Sequence, residues 1–94
     1  MLDIKHIQTK YYIRITSEDR PGVLSKVSGI LGKNNVSIAS VYQMAHEKPG
    51  GDVPIIMVTH LAREGDIKKA LAEIDRLSMV RRKSILIRIE EADE

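Results

Sequence analysis

Residues 17–24, Ser-Glu-Asp-Arg-Pro-Gly-Val-Leu, hold the one arrangement in this chain whose residue types and spacing could do chemistry. Asp19 is a good helix-capping residue. Pro21 suits a first helical turn, where its absent N–H costs nothing, and Gly22 leaves the neighbouring amides uncovered. Together they would start a helix on bare backbone N–H groups carrying a partial positive charge, a resting place for a carboxylate or phosphate. The same residues also fit an ordinary capped helix start that binds nothing.

No other grouping offers machinery. His6, His46 and His60 lack metal-ligand spacing, and the absence of cysteine removes thiolate nucleophiles, disulfides and sulfur metal sites. Ser17, Ser25, Ser28, Ser37 and Ser40 lie outside any nucleophile elbow, and Gly29 and Gly32 sit within a helical pattern rather than a phosphate-cradling loop. No dinucleotide fingerprint is present. We therefore expect no catalytic residue, no metal and no cofactor. Lys68, Lys69, Arg81, Arg82 and Lys83 are interspersed with Glu73, Asp75 and Glu90, which reads as a solvated face. A net charge of +2 and only three tyrosines (Tyr11, Tyr12, Tyr42) argue against nucleic acid. No apolar run approaches the roughly 18 residues of a membrane span, and the first ten residues lack a signal-peptide core. With no cysteine, the expected location is the cytoplasm.

The elements that must position residues 17–24 follow from periodicity. The 94 residues, 43% hydrophobic and 30% charged, make one small globular domain. Residues 1–10 read as a linker or extra edge strand. Residues 11–16 alternate, with Tyr11, Ile13 and Ile15 on one face. Apolar residues at Val23, Leu24, Val27, Ile30 and Leu31 make a helix stripe running from Pro21 to about Lys33, and Asn34-Asn35 supplies its stop. Residues 36–45 form a second strand, with Val36, Ile38, Tyr42 and Met44 on one face. The other face carries Ser37, Ala39, Val41 and Gln43, mostly small, with room for a neighbour. A turn over residues 47–52 leads to a third strand, 53–61, apolar on both faces; Pro54 belongs at its entrance or a bulge. Ile67, Ala70, Leu71, Ile74 and Leu77 form a second helix stripe. Residues 83–90 alternate as a last strand, and 91–94 are a polar tail. The expected class is α+β, a ferredoxin-like βαββαβ domain over residues 11–90. Its four-stranded antiparallel sheet would carry two helices on one face, with the first and third strands central. Such folds host many functions. An RNA-binding version would want aromatics on the third strand, which offers Ile55, Ile56, Met57 and Val58.

Asp19-Arg20-Pro21-Gly22-Val23-Leu24 after a strand, with Asn35-Val36-Ser37-Ile38-Ala39-Ser40-Val41 after the helix, resembles the ACT domain, a regulatory amino-acid-binding module. More narrowly, Tyr11-Tyr12-Ile13-Arg14-Ile15, Gly29-Ile30-Leu31, Val53-Pro54, Val58-Thr59-His60 and Ala70-Leu71-Ala72-Glu73-Ile74 make it similar to the C-terminal ACT domain of the homoserine dehydrogenase family.

That resemblance implies a ligand held between paired domains, near the strand-to-helix turn of one and the start of the second strand of the other. The implied binding residues are Ser17, Asp19, Gly22, Val23 and Leu24 at the turn, and Ser37 and Ile38 on the second strand. It also implies a homodimer and a small amino acid as partner, threonine favoured, acting as feedback effector. The nicotinamide-binding and catalytic domains would lie N-terminal, and nothing in this chain corresponds to them. Residues 1–10 would then be linker, and the chain a fragment rather than a freestanding sensor. A ligand of about eight heavy atoms is expected to bind with a Kd from micromolar to millimolar.

Overall fold

The protein is described by a computed structural model, covering residues 8–18, 21–43 and 52–89. The element order is β1 (Gln8–Glu18), α1 (Val23–Lys33), β2 (Ile38–Gln43), β3 (Asp52–Thr59), β4 (Ala62–Arg63), α2 (Glu64–Asp75) and β5 (Ile85–Ile89). This is the expected α+β arrangement, with β1 and β3 at the centre of an antiparallel sheet. β2 is the edge beyond β3, and β5 pairs β1 on its other side. The fifth strand was not expected. β4 is two residues long and pairs Gln8 and Thr9 of β1, continuing the line of β3 after a break at His60 and Leu61.

Register decides which residues are covered. Ile13 faces Met57 and Leu86, and Ile15 faces Ile55, so these side chains share one side of the sheet. Both helices lie there. Tyr11, Ile13, Ile15, Ile55 and Met57 pack with Val23, Val27 and Leu31 of α1 and Ile67, Ala70, Leu71 and Ile74 of α2 into one core. The two helical stripes expected from spacing are thus the buried stripes. On the opposite side lie Tyr12, Ile56, Val58, Ile85 and Ile87. Among the described residues β3 is therefore central laterally yet has helices on only one face, although its sequence is apolar on both.

Three local expectations need amending. Ile38 pairs Thr59 but Ser40 pairs Val58, so an extra residue enters β2 at Ala39. The bulge puts Ile38 against the core and Tyr42, across from Ile56, on the uncovered side. Ile38 and Tyr42 do not share a face. Pro21 precedes the helix rather than opening it, because the N-cap is Gly22. β1 begins at Gln8, three residues before the expected start. Pro54 is the third residue of β3, near its entrance.

Asn34-Asn35 ends α1 as anticipated. Asn35 adopts φ 64°, and the N–H groups of Asn35 and Val36 donate to the carbonyls of Gly32 and Leu31 at 3.1 and 2.9 Å. This is a Schellman closure, with Val36 and Leu31 both buried beneath it.

Candidate functional site

Gly22 has φ 87° and ψ −9°, a left-handed conformation that a side chain would strain. Its carbonyl accepts the Lys26 N–H at 3.0 Å, which closes the first turn of α1. The N–H groups of Val23, Leu24 and Ser25 then have no acceptor within the helix. Among the described residues no side chain caps them, and the first turn contains no acid. The side chain of Val23 is buried and that of Leu24 is half-buried against the core. Asp19 lies outside the described residues.

Ser17 stands just before this turn, 1% exposed, its hydroxyl donating to the Glu18 carbonyl at 3.2 Å. The segment leading from α2 to β5 braces the same corner. Glu18 N–H donates to the Met79 carbonyl, and Arg81 N–H to the Thr16 carbonyl, both at 2.8 Å. The Arg81 guanidinium also reaches Glu18 at 2.8 Å and Asp52 at 3.5 Å, tying the end of β1 to the start of β3.

Ser37 and Ile38 are elsewhere. Ser37 is exposed and its carbonyl accepts the His60 N–H at 2.9 Å. Ile38 faces Thr59, whose hydroxyl accepts the Tyr11 N–H at 3.1 Å. Ile38 is therefore level with Tyr11, while the turn follows Ser17 and Glu18. Six strand residues separate those levels, about 20 Å, and α1 runs the length between them. Within one copy the structure does not bring the two sets of expected ligand residues together.

The electrostatics are ordinary elsewhere. A hydrogen bond from Arg88, at 2.9 Å, and the Lys68 ammonium, at 3.3 Å, hold the Glu64 carboxyl below the usual carboxylate range. Lys33, at 2.8 Å, and then Asn34 do the same for Glu73. Burial pushes the Tyr11 phenol up. Two shallow cavities escaped sequence reasoning, because each joins residues distant in the chain. One, about 300 Å³, lies between α2 and β5 over Leu71 and Leu86, with Lys68, Lys83 and Asp75 at its rim. Asp75 is already engaged by the N–H and hydroxyl of Ser84. The other, about 250 Å³, lies among Gln8, Asn35, Leu61, Arg63 and Asp66. Neither contains an expected ligand residue. No group of His, Cys, Asp and Glu among the described residues could hold a metal ion. Among the described residues no helix is long and apolar enough to cross a membrane.

The ACT domain model matches residues 11–78. The chain is 37% identical over 91 residues to a homoserine dehydrogenase of Pseudomonas aeruginosa, covering 97% of this chain and 21% of that one. It is 38% identical over 87 residues to that of Mycobacterium bovis, covering 89% and 20%. It thus spans about a fifth of the length of these curated relatives. A crystal structure of a homoserine dehydrogenase from Thiobacillus denitrificans superposes with a TM-score of 0.82 at 33% identity, over 96% of this chain and 19% of that one. The regulatory subunit of aspartate kinase from Thermus thermophilus shares the fold at 17% identity, with a TM-score of 0.61 over 88% of this chain and 52% of that one. On the family match over residues 11–78, the chain belongs to the ACT domain family.

Proposed function

We propose that this chain is a non-catalytic regulatory domain that binds a small amino acid, threonine favoured, between two copies of itself. In this reading it is the allosteric domain of a cytoplasmic homoserine dehydrogenase, serving feedback control of aspartate-family synthesis, with the catalytic domain in the parent chain. The observation that carries the reading is the separation of the two half-sites. The bare start of α1 and the Ser37–Ile38 start of β2 lie at opposite ends of one sheet, and β2 is an edge strand. Antiparallel pairing of two β2 edges reverses one copy relative to the other. It carries the Ser37 end of the partner toward the Gly22 end of this copy, which one copy cannot achieve.

The amides of Gly22, Val23 and Leu24 would receive the ligand carboxylate, and Asp19 or the Ser37 hydroxyl its ammonium or side-chain hydroxyl. Ser17 would shape the turn from beneath, and Ile38 would wall the pocket. Ligation that favours one packing of the pair over another supplies the coupling, typically about 1–3 kcal/mol.

Calorimetry against threonine, isoleucine, valine, serine and methionine, with sedimentation of the same samples, tests this. The expected result is heat and a thermal shift with at least one of them, and a pair tightened by the ligand. A pair indifferent to all five would make this a ligand-free dimerisation module. Neither heat nor thermal shift with any would remove the sensor reading, freestanding or otherwise.

A further inference from the structure

The cavity of about 300 Å³ between α2 and β5 has a floor and a mouth of different chemistry. Its floor is Leu71, buried on α2, and Leu86, which reaches the core from β5. Ala72 adds a wall but fills little, since alanine there carries a single methyl and is exposed. Asp75, the last residue of α2, closes the lining. One of its carboxylate oxygens accepts the Ser84 N–H at 2.9 Å and the other the Ser84 hydroxyl at 3.2 Å. The acid in this lining is thus already supplied with donors by its own chain.

Two cations meet the cavity from different elements, Lys68 from α2 and Lys83 from the segment that enters β5. A lysine beside an apolar hollow lays its methylenes along the wall and keeps its ammonium in water. Lys68 shares the Glu64 carboxylate at 3.3 Å, but Arg88 holds that carboxylate more closely, at 2.9 Å. Lys83 has no acidic partner among the described residues. Set against Asp75, the two lysines leave the lining with a positive balance. We propose that this cavity binds a small monocarboxylate with a compact, branched hydrocarbon body. The body lies on Leu71 and Leu86, and the carboxylate is held at the mouth by the ammonium groups of Lys68 and Lys83. The volume is at the lower end of the range for ligand sites, which keeps the body short. A zwitterion is disfavoured, because its ammonium would approach two others. The cavity shares no lining residue with the Gly22 turn or the start of β2, so it can fill whether or not an amino acid binds there.

Calorimetry and thermal-shift measurements on the whole chain, with isocaproate, its neutral amide and acetate, test it. Isocaproate is expected to bind with a millimolar Kd and to raise the thermal midpoint. The amide, which lacks the charge, and acetate, which lacks the body, are each expected to bind about tenfold more weakly or worse. Ala72→Leu fills the cavity from an exposed helix position. It is expected to keep the wild-type midpoint without ligand and to weaken isocaproate about tenfold or more. Lys83→Met keeps an apolar stem and removes the charge, so isocaproate affinity is expected to fall about fivefold while the amide is unaffected. Ser25→Glu, at the start of α1, is expected to leave isocaproate affinity unchanged. Equal affinity for isocaproate and its amide would overturn the proposal, as would neither heat nor thermal shift with isocaproate. So would binding that is lost in Ser25→Glu yet survives in Ala72→Leu, which would put the carboxylate at the start of α1 instead.

Discussion

α1 and α2 are nearly equal in length, lie on the same face of the sheet, and begin in opposite ways. α2 starts from an extended Arg63 and places Glu64 and Asp66 in its first turn, so its own carboxylates offset the positive end of its dipole. α1 starts from Gly22 in the left-handed region, has no acid in its first turn, and carries Lys33 in its last. One helix completes its own electrostatics. The other has no acid in its first turn and no capping side chain among the described residues, and in the proposed function the carboxylate of an amino acid would do for α1 what Glu64 and Asp66 do for α2.

That contrast can be broken in several ways. The largest effect is expected from truncating the apolar anchor of each start. Ile67→Ala, at a fully buried side chain, should cost about 2–5 kcal/mol in denaturant unfolding. Val23→Ala should cost less, about 2 kcal/mol. Equal losses would show both starts to be held alike. Next come the glycines. Gly22→Ala should cost about 1–2 kcal/mol because of its positive φ. Gly65→Ala, inside α2 with open space around it, should stabilise by about 0.5–1 kcal/mol. The opposite signs are the check, read as shifts in thermal midpoint. This also makes Gly22 a poor place to test binding, since any side chain there perturbs the fold as well.

Ser25→Glu sharpens the contrast by giving α1 what α2 already has. Stability should rise by about 0.3–1 kcal/mol, while affinity for an amino acid falls about tenfold or more, roughly 1.4 kcal/mol, by calorimetry. A rise in stability with unchanged affinity would dissociate the helix start from the ligand. The smallest effect concerns acid. The carboxyl of Glu64 is held below its ordinary value chiefly by Arg88. Its contribution is therefore present above the unfolded-state value, about 4.3, and disappears as pH falls through the lower folded-state value. Thermal midpoints between pH 6 and pH 3 should consequently fall more steeply for the wild type than for Glu64→Gln.

Much of the fold was legible because periodicity reports burial directly. The stripes Val23-Val27-Leu31 and Ile67-Ala70-Leu71-Ile74, and the alternation of Tyr11, Ile13 and Ile15, are the core. What alternation leaves open is which of two apolar faces is covered. Ile85, Ile87 and Ile89 look like a core strand's inner face, yet register points them outward and assigns Leu86 to the core. The bulge at Ala39 was invisible because nothing in the small residues Ser37, Ala39 and Ser40 distinguishes an inserted residue from a paired one. At the candidate site, glycine, proline and aspartate announced a helix start but not its phase. The cap falls on Gly22, two positions hold core side chains, and Ser17 is sealed beneath. The distance between turn and second strand could come only from the sheet.

Arg81 has one more consequence. It pairs both Glu18 and Asp52, while its backbone and that of Met79 bond to β1, so three segments distant in sequence meet at the rim under the turn. β5 begins four residues after Arg81. The start of β1's following turn and the approach to β5, on the opposite margin of the sheet, are therefore linked by direct backbone bonds.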